Sequence, residues 1–314
     1  MRIRWNAIIA FAAFAAFLFL NLGLTARQAP QGQAGTAGQA GQQVQGGRGG
    51  GGRGGQRGAN LPPAGPTPRL PNGKPDLSGH WNNPYTPNMA GVRGASALDP
   101  ATRMPFDWPH KGEALPDANG QPKTYDLPYT EWGLKQWKAY DPEKNGDYAG
   151  SCLPFGMARS INSPHGVQII HSENALAFLF EQNTWFHWIS LDPNFKWPAD
   201  LPPSWTGVST AHWDGDTLVV ETTGFNGYTK LDTNGHPHSK DVRMINTFLR
   251  TDSRTIQHTF TVHDPKAYTK DWMNVRTWNL KPANDVIMEY SCEENNISLQ
   301  DGTITKWKYP ETVD

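Results

Sequence analysis

The sequence predicts a mainly β protein, an antiparallel meander that closes into a barrel or a strongly curved sandwich behind a loop-rich N-terminal section. Three observations carry that expectation. After Cys152 the chain reads as short runs rich in Val, Ile, Thr, Phe and Trp, each bounded by turn residues. Asp214-Gly215 separates two of these runs, and a type I′ hairpin turn needs the positive φ that Gly and Asp tolerate. Finally, a meander of many strands leaves exposed edges unless it curls and closes on itself.

Taken in chain order, the N-terminus comes first. Arg2 and Arg4 precede the apolar run Ala7–Leu20, followed by Leu24, Thr25 and Ala26. Basic, then apolar, then small residues describe a secretory signal peptide. The unbroken run is shorter than the ~20 residues of a spanning helix, although counting on to Leu24 approaches that length. Residues 1–29 are therefore expected to be a signal peptide or a signal anchor. The first places the domain in the periplasm or outside the cell. The second holds it on the inner membrane facing the periplasm, touching the membrane only through this segment.

Residues 30–65 are rich in Gly and Gln, carry Arg48, Arg53 and Arg57, and contain no acidic side chain. So few apolar groups cannot offset the entropy of ordering, and a disordered linker is expected. Its GGRGGGGRGGQRG run resembles an RNA-binding segment, but RNA is scarce beyond an export signal. The 28 basic and 29 acidic residues also leave no electrostatic footprint for nucleic acid.

Residues 66–314 are expected to form a single globular domain. Its first part, to about Ala149, is rich in Pro, Gly, Asn and Asp. Within it, Thr130–Tyr140 (TEWGLKQWKAY) reads as a short helix that brings Trp132, Lys135 and Gln136 near one another, with Leu134 and Trp137 on a neighbouring face. Gly79-His80-Trp81 contains Gly-x-Trp, which resembles the first-strand motif of lipocalins and related ligand-binding barrels, whose Trp plugs one end. That coarse likeness implies a barrel and no particular ligand.

The candidate strands are Gly166–His171, Ala175–Glu181, Trp185–Leu191, Val208–Trp213, Thr217–Thr222, Val242–Arg250, Thr255–His263, Met273–Leu280 and Val286–Cys292. Cys152 and Cys292 bracket this region. In an oxidising compartment an isolated pair usually bonds, and buried thiols or metal ligands are the alternatives.

The histidines are the best candidates for chemistry, because alternate side chains of a strand share a face. His187 falls on an apolar face with Trp185, Ile189 and Leu191, and His258 on one with Ile256, Phe260 and Val262. His171 falls with Val167 and Ile169, and His212 with Val208 and Thr210. Inward-facing, these would line a pocket with Trp185, Arg276 and Glu289, the last two forming an interior ion pair across adjacent strands. Separately, His236 and His238 sit in a loop with Asp232 before them and Asp241 after. Two His at i, i+2 plus a carboxylate is one way to hold a divalent transition metal, so His236, His238 and Asp241 are the metal candidates. A hydrogen-bonded core histidine is the competing reading at each position. No G-x-S-x-G, H-E-x-x-H, Walker A, EF-hand or haem-attachment pattern is present.

The strings CLPFG (152–156), HWDGDTLVVETTGFN (212–226), GHPHS (235–239), DPKAYT (264–269) and EYSCEENN (289–296) resemble an uncharacterised family of exported bacterial proteins, frequent in acidobacterial and some proteobacterial genomes. The resemblance spans residues 75 to 296. It implies export in a Gram-negative cell and carries no activity with it. With 13 Trp in the chain, an aromatic- and His-lined cavity for a small, partly apolar ligand is the leading expectation. A periplasmic hydrolase or lyase, metal-dependent or not, working through the same histidines is the second. A tethered envelope interaction protein is the third.

Overall fold

The computed structural model describes residues 63–90, 97–105, 110–117 and 120–310. The expected signal segment and almost all of the linker lie outside the described residues. Among the described residues, no helix is long and apolar enough to cross a membrane. The last linker positions are already tied down. Gly65 exchanges hydrogen bonds with Ser253, its N–H to Oγ and its carbonyl from the Ser253 N–H.

In chain order the strands are β1 Gly79–Asn82, the short pair β2 Ala114–Pro116 and β3 Pro122–Thr124, then β4 Val167–His171, β5 Ala175–Phe180 and β6 Phe186–Ser190. They continue with β7 Val208–Asp214, β8 Thr217–Thr223, β9 Arg243–Arg250, β10 Thr255–His263 and β11 Trp272–Leu280. All but β2 and β3 close into one barrel, in the order β1-β11-β10-β9-β8-β7-β6-β5-β4 and back to β1. In a ring of nine, neighbours cannot all alternate in direction, so one pair must run parallel. That pair is β6–β7, which meet at Ser190 and Thr210 after the long connection 191–207. Trp197 braces this seam by donating its indole N–H to the Ser209 carbonyl, 2.7 Å away.

Eight of the expected strands are present within a residue or two at each end. Val286–Cys292 is not a strand. Val286 and Met288 are 60% and 62% exposed, and the chain there runs as a loop into the short helix α4 Cys292–Asn295. The physical reason is the closure itself. β1 pairs Trp81 with both Leu280 of β11 and Val167 of β4, which leaves no edge for a further strand. The Gly-x-Trp motif thus supplies the ninth strand, with Trp81 wholly buried. The 214–216 hairpin forms as expected, with Gly215 at φ +56°.

Strand parity fills the lumen in rows. From β8 to β11, one row is Leu218, Phe248, His258 and Arg276, and the next is Val220, Asn246, Phe260 and Asn274. Across the barrel, Val167, Ile169, Phe178 and Phe180 complete the packing. Each large apolar side chain removed from water stabilises the fold by roughly 1.5–3 kcal/mol.

Outside the barrel lie α1 Glu131–Ala139, α2 Pro142–Asn145 and α3 Gly156–Ile161, with α5 Ile297–Gln300 near the C-terminus. Thr130 caps α1 by accepting from the Gly133 N–H. A second, smaller core of Tyr148, Ala149 and Phe155 packs with Leu153, Trp205 and Trp307. The Cys152–Cys292 disulfide forms beside it, joining residues 140 apart, so the thiol and metal-ligand alternatives fall away. Closing so long a loop constrains the unfolded chain by about 4–5 kcal/mol on loop-entropy grounds. Reduction, or a Cys152→Ser/Cys292→Ser variant, is expected to lower the urea midpoint by a matching amount with the barrel's circular dichroism retained. An unchanged midpoint would show that the bridge does not constrain the unfolded chain.

Candidate functional site

Three of the expected inward histidines do point inward, but into packed protein. His258 stacks on Phe248 with ring centroids 4.8 Å apart. Its Nδ1 accepts from Arg276 Nη2 at 3.0 Å, so the proton sits on Nε2, which donates to Asn246 Oδ1 at 2.8 Å. Burial, reinforced by Arg276, holds this ring well below the usual histidine range. His187 shares a 2.7 Å bond with Ser209 Oγ, which continues to Thr222 Oγ1, and burial pushes the imidazole down to about 4. His171 accepts the Leu77 N–H at Nδ1, and burial lowers it too. These are neutral, hydrogen-bonded core histidines.

The other pocket candidates need correction. His212 is exposed, because β7 turns Ser209, Ala211 and Trp213 inward instead. Trp185 lies just before β6, partly buried against the core. Glu289 is exposed in the 281–291 loop, so no Arg276–Glu289 pair exists. Arg276 is instead a buried guanidinium without a carboxylate partner among the described residues. Burial brings it down to about 9, and its Nε and Nη1 find no hydrogen-bond partner.

The proposed metal set is also taken apart by the structure. His236 donates Nδ1–H to Asp232 Oδ2 at 2.5 Å, and both side chains are fully buried. Burial works to raise the Asp232 carboxyl, but His236 and the backbone N–H groups of Met89 and His236 hold it below its ordinary value. His238 donates Nδ1–H to the Ser239 carbonyl at 2.8 Å, so its Nε2 must accept from Thr229 Oγ1 at 2.6 Å. No lone pair of His238 is left for a metal, and Asp241 is exposed. Among the described residues there is no group of three His, Cys, Asp or Glu side chains placed to hold a metal ion. The loop is instead a braced structural corner. Asp264 accepts from the Ser239 N–H and Oγ, and Tyr268 donates to the Pro237 carbonyl. The GHPHS and DPKAYT strings are therefore one packed unit.

The open space lies outside the lumen. A half-open cavity of about 420 Å³ sits between α1, the 139–148 segment, the 227–230 loop and the C-terminal segment 307–310. Trp132 and Gln136, one turn apart on α1, face it together. Tyr140 and Tyr148 line it from the following segment, and Tyr228 and Lys230 from the loop. Trp307 and Tyr309 complete the wall, edge-to-face at 4.5 Å, with Tyr228 meeting Tyr309 at 5.4 Å and 84°. Of the residues singled out in the sequence as site candidates, His238 alone lines this cavity.

The C-terminal segment is held there by its backbone. The Trp307 N–H donates to Ser151 Oγ at 2.8 Å, and Thr305 Oγ1 donates to the Glu143 carbonyl. Gly146 makes this possible, because a Cβ there would lie 2.4 Å from the Trp307 nitrogen. Lys230 is set just as firmly, since the Tyr148 hydroxyl bonds both its N–H and its carbonyl. Burial, then Lys123, push the Lys230 ammonium down to about 8. Burial likewise raises Tyr148 to about 12.

The sequence signals for this site were faint. Trp132 and Gln136 share a helix face, but the aromatics at 148, 228, 307 and 309 are far apart in the chain and follow no period. No family model, curated protein or solved structure matches the chain.

The buried histidines set a pH dependence. Folded His187 and His238 protonate only near pH 4, whereas unfolded imidazoles do so near 6.5. Their contribution is fully present above pH 6.5 and is lost as pH falls toward 4, by roughly 3 kcal/mol for each group. Urea unfolding from pH 7 to 4.5 is expected to show this loss. His187→Gln, which keeps a donor toward Ser209 but cannot titrate, should remove a share of it; an unchanged slope would mean that His187 titrates alike in the folded and unfolded chains.

Proposed function

We propose that the protein is an exported barrel that binds a small, partly apolar molecule, and that the binding site is the aromatic cavity beside the barrel. The observation that carries this reading is the cavity itself, in a domain whose lumen is filled. Its volume of about 420 Å³ matches a small organic molecule. Its wall joins large aromatic faces to a few polar groups, Gln136, Asp141, Asn145 and Lys230, which is the usual division between contact area and orientation. Anchoring the wall by a glycine contact and a disulfide-braced core favours a preformed site, which reduces the entropy lost on binding.

Export is supported by the basic, apolar and small-residue order of the N-terminus and by the likeness of the 75–296 strings to exported bacterial proteins. A Cys152–Cys292 bridge also suits an oxidising compartment such as the periplasm. The catalytic reading loses support because His236 is wholly buried and does not line the cavity, and both nitrogens of His238 are hydrogen-bonded.

The test uses 8-anilinonaphthalene-1-sulfonate, a small aromatic anion whose fluorescence rises in apolar sites. One probe per folded chain is expected. Ala139 lies exposed at the end of α1 on the cavity wall, so Ala139→Trp fills the space without touching the core. It should weaken the probe by at least about tenfold, equivalent to about 1.4 kcal/mol, with an unchanged melting temperature. Equal affinity in the variant would place binding elsewhere.

A further inference from the structure

We propose that this cavity captures molecules bearing an aldehyde or ketone, holding them as a reversible imine on Lys230. The inference rests on the binding reading above and adds to it the chemical class of the ligand and the atom that holds it.

Lys230 lines the cavity and is only partly covered. Among the described residues its ammonium has no carboxylate within ion-pair distance and no hydrogen-bond acceptor. Other lysines of the domain do have such partners. Lys281 pairs with Asp285 at 3.2 Å, Lys74 donates to the Gly215 carbonyl, and Lys123 donates to the Trp137 carbonyl. The root of the Lys230 side chain is fixed by Tyr148 on one side and by the Thr229–His238 bond on the other. The charge that shifts it is the like charge of Lys123. An unpaired amine on an aromatic-walled cavity, with its charge disfavoured by burial and by a like charge, is the arrangement that activates lysine toward carbonyl carbon. With the ammonium held at about 8, roughly a tenth of Lys230 is free amine at pH 7, a few hundred-fold more than for an exposed lysine.

The chemistry balances without any cofactor. The neutral Lys230 nitrogen attacks the carbonyl carbon, forming a C–N bond and a carbinolamine. One nitrogen proton passes to the former carbonyl oxygen on addition, and the carbinolamine then loses that hydroxyl with the remaining nitrogen proton as one water, leaving a C=N bond. Hydrolysis by the same water reverses the step. The half-open mouth admits that water. Tyr148 bonds the Lys230 backbone and both His238 nitrogens are engaged, so neither of these two side chains is free to relay protons.

The experiment uses the oxidised domain with benzaldehyde and cyanoborohydride at pH 7, followed by peptide mass spectrometry. Reduction should fix one benzyl group per chain on Lys230, ahead of exposed lysines such as Lys144 and Lys196 and ahead of Lys308, the other lysine of the cavity wall. Lys230→Met should lose this adduct while keeping the melting temperature and circular dichroism of the unsubstituted domain, which shows that the fold is intact. Benzyl groups spread over surface lysines, with Lys230 not favoured, overturn the proposal. So does a result in which benzoate raises the melting temperature through Lys230 while benzaldehyde leaves no adduct there, since Lys230 would then pair with an acid. In either case the binding reading stands if the probe still binds, and falls if Ala139→Trp has no effect on it.

Discussion

The short strand Gly79–Asn82 pairs with β11 on one side and β4 on the other, and much of the domain follows from that closure. With both edges joined, no strand end is left to template pairing with another chain. The odd strand count forces one parallel neighbour, and the long 191–207 connection exists to reach it. The interior so enclosed is narrow enough for side chains to fill. Trp81, Phe178, Phe248, Phe260 and Trp278 do so, and none of them is exposed.

A filled lumen explains why its polar groups serve structure. His258, Asn246 and Arg276 form a hydrogen-bonded row across β9, β10 and β11. Such a row ties neighbouring strands in one register, since a slip of one residue would turn each group to the outside. The guanidinium of Arg276 is the costly member, because a buried charge without an opposite partner loses its hydration uncompensated. The neighbouring neutral His258 accepts one of its N–H groups, which offsets part of that cost.

The cavity lies outside the barrel, where segments distant in the chain are pinned together. The disulfide holds residues 152 and 292 at one point, and the C-terminal segment then crosses Gly146 to bring Trp307 and Tyr309 against Tyr228. The edge-to-face arrangement of these rings suits their quadrupoles and leaves apolar faces available at the cavity wall. Lys230 stands among them because its backbone is bonded to Tyr148, itself part of the smaller core.

By itself the sequence determined the barrel class, eight of the nine ring strands, the 214–216 hairpin, the α1 helix and the inward side of β4, β6 and β10. Each of these is local information: period-two alternation, turn chemistry and capping act over a few residues. Where local pattern misled, a non-local fact had intervened. Val286–Cys292 has strand-like composition, but β1 had taken the available edges. His212 sits on the right parity only if Val208 faces inward, and the pairing with β8 set the opposite phase. His236, His238 and Asp241 have metal-like spacing, but both nitrogens of His238 are hydrogen-bonded and Asp241 turns out to the surface while the histidines are buried. The cavity could not be read at all, because its walls come from residues 132 to 309 and obey no period. Only the tertiary structure decided it, since which side chains converge depends on ring closure, the disulfide and a glycine contact, none of which leaves a local mark in the chain.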